Sequence, residues 1–152
     1  MKNKYYKQVA KITDTFLGFE DHGFFTTILY VDYGGCCQGI GLRFLGSDSV
    51  NGDPLRPTKT GCDYIMHTLK ACGAEKWEDL KGITINVLFE EEFVLNSQPV
   101  GIEPLPFNKG ERFLFSDFEK RANYEKFVES YLVTGNFLFL DEKLWVPGWK
   151  HK

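Results

Sequence analysis

No run of apolar residues in this sequence approaches the roughly 20 that a helix needs to cross a bilayer. The longest, residues 24–31, ends after eight positions and has Thr26 and Thr27 inside it, so no membrane partner is expected. Charge of one sign is missing too. The 18 basic and 21 acidic residues leave a net charge of −3, too small a field to gather nucleic acid or an anionic surface. The acidic excess sits mid-chain, chiefly at Glu90, Glu91 and Glu92, a run that reads as a solvated turn. The opening residues, MKNKYYKQVAK, lack the apolar stretch of about 7–15 residues that a secretory leader requires. A cytoplasmic protein with reduced thiols is therefore expected.

Metal and cofactor signatures are absent as well. The three His residues supply no HExxH pair, and Cys36, Cys37, Cys62 and Cys72 form no CxxC knuckle. Gly39 and Gly41 lie in a glycine-rich stretch, but a strand and a polar loop should follow them. A phosphate or dinucleotide fingerprint needs a helix N-terminus there. No metal and no cofactor are expected, and the chain has no internal repeat or low-complexity segment.

Aromatic residues are what the chain has in abundance: 14 Phe, 7 Tyr and 3 Trp among 152 residues. A chain of this length buries about two-thirds of its unfolded surface, so a single domain with an aromatic-rich core is predicted, and surplus rings would serve as interface anchors. The expected class is α+β, a mixed and mostly antiparallel sheet packed by two main helices. Residues 1–8 read as a polar arm. Residues 9–17 alternate as a half-buried strand with Ala10, Ile12 and Phe16 on one face. A turn over 18–23 leads into residues 24–33, apolar on both faces and read as a central strand. Residues 36–45 continue as a third strand, in which Gly39 and Gly41 imply a backbone, ring or ligand close against one face.

A polar loop over 46–57 follows. Thr60 and Asp63 have the spacing of a capping box, and the helix they open should bury Cys62, Ile65, Met66, Leu69 and Cys72 and stop at Gly73. Residues 77–80 read as one helical turn closed by Gly82. Residues 83–89 alternate cleanly, with Ile83, Ile85, Val87 and Phe89 inward. Residues 93–106, interrupted by prolines, read as an edge partner around Gly101. Ser116 and Glu119 form a second capping box for a helix running to about residue 133, followed by a strand over 137–140 and an apolar tail over 144–149.

Three residue sets could carry chemistry. Glu20, Asp21 and His22 bring two carboxylates and an imidazole into one turn. Set against Asp32 or Gln38, they could do acid/base work, with Cys36 or Cys37 as a nucleophile beside His22; a solvated turn and structural thiols are the alternative. A second set, His22, Gln38, Gly39, Gly41, Arg43 and Arg56, could cradle a nucleotide-like ligand, because Arg recognises phosphate through paired donors. The third is Trp145 and Trp149 in the tail, expected either to dock on the domain or to contact a partner.

LGFEDHG at 17–23, QGIG at 38–41 and WEDLKG at 77–82 resemble a small family of proteins encoded by bacteriophages and prophages, in which LGxEDHG, QGxG and WEDLxG segments recur in that order. The resemblance covers about residues 9–90. It divides the chain into a family-like core at 9–106 and an addition at 107–152, and it implies a phage accessory protein acting in a bacterial cytoplasm, with no activity attached. The leading expectation is a non-enzymatic protein that binds and inhibits a host protein, such as a component of a bacterial defence system. Sequestration of a nucleotide signal and a small hydrolase built on Glu20, Asp21 and His22 stand as alternatives. Homo-oligomerisation through the tail or an edge strand is left open.

Overall fold

The computed structural model of the chain describes residues 4–20, 23–46, 57–94, 96–118 and 120, with backbone alone at 42–44. Six strands, β1 (Tyr6–Phe19), β2 (Phe25–Asp32), β3 (Cys37–Phe44), β4 (Thr84–Phe89), β5 (Gly101–Pro104) and β6 (Phe113–Leu114), form one sheet in the order β3-β2-β1-β4-β5-β6. Every pairing is antiparallel, so the fold is α+β and the expected mixture of strand directions is not found among the described residues. Helix α1 (Lys59–Cys72) and a 3-10 turn at Trp77–Leu80 connect β3 to β4. One sheet face, carrying Ile12, Leu29, Val31, Ile85, Val87 and Ile102, packs with Tyr64, Ala71 and Leu80 into a single core. No helix among the described residues is long and apolar enough to cross a membrane.

β1 begins at Tyr6, inside the stretch expected to be an arm, and runs for 14 residues. Its alternation breaks once. Ile12 pairs with Val31 but Asp14 pairs with Tyr30, so Thr13 is an inserted residue, and its hydroxyl donates to Tyr30 O at 3.2 Å. One extra residue exchanges the two faces beyond it. Phe16 therefore pairs with Ile28 on the face opposite Ile12, a correction to the expected Ala10, Ile12, Phe16 stripe.

β2 is one strand in from the sheet edge and leaves Tyr30 41% exposed, so only part of it has the two-sided cover expected of a central strand. β5, expected at an edge, is flanked by β4 and β6. The division at 106/107 cuts through the sheet, because β6 pairs with β5 while Phe113, Phe115 and Phe118 join the core. Residues 115–118 and 120 are helical. The rest of the helix expected to residue 133, the strand at 137–140 and the tail with Trp145 and Trp149 lie outside the described residues.

Helix α1 starts two residues earlier than the Thr60 capping box implies. Thr58 is the cap: its Oγ1 accepts from Gly61 N at 2.9 Å and donates to Leu45 O at 2.8 Å, so one side chain satisfies a helix donor and pins the helix to the end of β3. Gly73 closes the helix in the left-handed conformation, as expected. The buried face is also rotated from the expected stripe. Thr60, Gly61, Tyr64, Thr68, Ala71 and Cys72 are inside, whereas Met66 is 49% exposed and Cys62 is at the surface. Only one of the two cysteines placed in the core is there.

Small residues win this face because the helix lies almost on the strand. A Cβ on Gly61 would stand 1.8 Å from Leu45 O. Tyr64 fills the space that remains, with its ring 4.8 Å from Phe118 and 5.1 Å from Phe113, and its hydroxyl donates to Gly41 O at 2.9 Å. Tyr64→Phe removes that donor and should cost about 1–2 kcal/mol in urea unfolding; no change would mean that Gly41 O is satisfied in another way.

Candidate functional site

The polar turn and the cysteine pair expected to meet are placed at opposite ends of β2. Glu20 N donates to Phe24 O at 2.9 Å and Gly23 N to Glu20 O at 2.8 Å, closing the β1–β2 connection; Asp21 and His22 lie outside the described residues. At the far end the Asp32 carboxylate accepts from Gly34 N at 2.8 Å and Gly35 N at 3.0 Å. These two amides hold its carboxyl below the usual range. Tyr33 N donates to Cys36 O at 2.9 Å in the same turn. At about 3.4 Å per residue, the eight residues of β2 keep Glu20 and Cys36 some 25 Å apart. Cys37 and Cys62 are exposed, and Cys72 is buried, with its thiol pushed up to about 12. A thiol so placed stays protonated and inert.

The described ligand-cradle residues Gln38, Gly39 and Gly41 lie on β3 and are met by the chain itself. Gln38 accepts from Tyr33 Oη at 2.8 Å and donates to Ser97 O at 3.2 Å, so its amide ties residues 93–97 to β3, where the rings of Tyr33, Phe89 and Phe93 cluster at 4.8–6.4 Å. Burial pushes the Tyr33 hydroxyl well above its ordinary pKa, so it remains a donor. The close approach expected at Gly39 and Gly41 is real, but the chain itself makes it. Gly39 meets Ile28 and the Tyr30 ring on one face, while Gly41, at φ +66°, meets Tyr64 on the other. A bulge between Thr27 and Leu29 in the β2–β3 register puts the two glycines on opposite faces. Arg43 pairs with Thr27 through its backbone; its side chain and all of Arg56 are outside the described residues.

A charged cluster that the sequence reading did not single out holds β1, β5 and β6 together. Glu103 is buried on β5 and pairs with Lys7 Nζ at 2.5 Å and with Arg112 Nη2 at 2.8 Å; the Arg112 guanidinium also stacks over Tyr5. Burial alone would raise the Glu103 pKa, but hydrogen bonds and charge from Lys7 and Arg112 outweigh it and hold it below the ordinary 4.5. A depressed folded pKa stabilises above the unfolded value, and that contribution is lost as pH falls through the folded one. Stability should therefore drop as pH falls from about 5 toward 3. Glu103→Gln should cost about 1–3 kcal/mol at pH 7 and flatten that part of the profile. An unchanged profile in Glu103→Gln would assign the acid transition to other carboxylates. Beside this cluster a cleft of about 220 Å³ lies between α1 and residues 111–118, walled by Tyr64, His67, Phe113 and Phe118. His67 stacks on Phe113 at 5.4 Å.

The surface that stands out is the end of the β1–β2 hairpin. β4 pairs with β1 only over residues 6–11. Ile12 then exchanges bonds with the linker before β4, Ile12 N to Ile83 O at 2.8 Å and Gly82 N to Ile12 O at 2.7 Å. Beyond this point β1 continues to Phe19 with β2 on one side, and no strand among the described residues pairs with its other side. Leu17, Phe19 and Phe24 are 36%, 54% and 37% exposed on this projecting end, and the Phe19 ring lies 5.2 Å from Phe25. The sequence signal was Leu17 and Phe19 at i, i+2 before a polar turn, and it was missed because the strand was ended at Leu17. Compared with known protein families, curated proteins and solved structures, the chain matches none.

Proposed function

We propose that this chain is a non-enzymatic binding protein that engages another protein through the end of its β1–β2 hairpin. The observation that carries the reading is the pair Leu17 and Phe19, two large apolar side chains exposed on one face of a strand that continues past its pairing with β4. Apolar and aromatic side chains held rigidly at a surface are the usual anchors of protein interfaces. The described residues considered for catalysis do not compete with it, since Glu20 and Cys36 sit at opposite ends of β2, Asp32 is used by its own turn and Gln38 ties β3 to Ser97.

The resemblance to phage and prophage proteins gives this reading its setting: an accessory protein in an infected bacterium whose target is a host protein, with a component of a defence system as the target class. The test is affinity capture from a bacterial lysate with the wild-type chain and with a Leu17→Lys, Phe19→Lys double variant, side by side. A protein recovered in stoichiometric amount by the first and lost with the second is the expected result. No stoichiometric partner, or equal recovery by both, would overturn the reading.

A further inference from the structure

We draw no further inference here: the strongest candidate, the cleft of about 220 Å³ between α1 and residues 111–118, carries nothing because its charged rim is chiefly the acidic cluster of Asp63, Glu111 and Asp117 and no second feature among the described residues points to a ligand there.

Discussion

Gly61→Ala is expected to destabilise the protein by about 3 kcal/mol or more, the upper end of what overpacking costs. The atom that the new Cβ meets is the backbone oxygen of Leu45, at 1.8 Å, and no rotamer change can move a backbone carbonyl aside. Helix α1 would have to lift off the end of β3 by about an ångström or more, half the well depth of every contact along that face. The same shift pulls Thr58 Oγ1 from Leu45 O and Tyr64 Oη from Gly41 O. Cys62→Ala, at the adjacent exposed position, is the matched control and should change stability by no more than about 0.5 kcal/mol. Urea unfolding of the two variants decides the matter. A loss below about 1 kcal/mol for Gly61→Ala would mean that α1 does not sit on β3 as described.

The second large effect concerns binding. Leu17→Lys with Phe19→Lys should weaken the captured partner's affinity at least 100-fold, since buried interface anchors each contribute on the order of 2 kcal/mol or more. Folding stability should move by less than about 1 kcal/mol, because both side chains are already substantially exposed, 36% and 54%. The combination distinguishes an interface from a packing surface. Lost binding with unchanged unfolding supports the reading, whereas lost binding with a collapsed denaturation midpoint would mark Leu17 and Phe19 as structural.

How much of this was legible in the sequence depended on which interaction fixed each element. Where local chemistry decides, the sequence was read correctly: Gly73 ends α1, residues 77–80 make a helical turn before Gly82, and Ile85, Val87 and Phe89 point inward. Where a distant backbone decides, it was not. The buried face of α1 is chosen by the closeness of Leu45 to Gly61 and by a hydrogen bond from Tyr64 to Gly41, 23 residues away, so a stripe drawn from hydrophobicity alone favoured Cys62 and Met66. The inserted Thr13 is equally silent in the sequence, because a bulge depends on the partner strand's register. It moved Phe16 to the other face and carried Leu17 and Phe19 onto the face where they now form the candidate surface. The site residues chosen by type, Glu20, Cys36 and Gln38, share sequence neighbourhood but not space, since an eight-residue strand separates the two turns.

The most direct test of the central claim, that the hairpin end is the partner surface, is hydrogen–deuterium exchange by mass spectrometry on the protein alone and in complex with its captured partner. The account predicts slowed exchange in peptides covering residues 14–24 on binding, with α1 and β4 unchanged. Slowing confined to other elements, with residues 14–24 exchanging as fast as in the free protein, would contradict it.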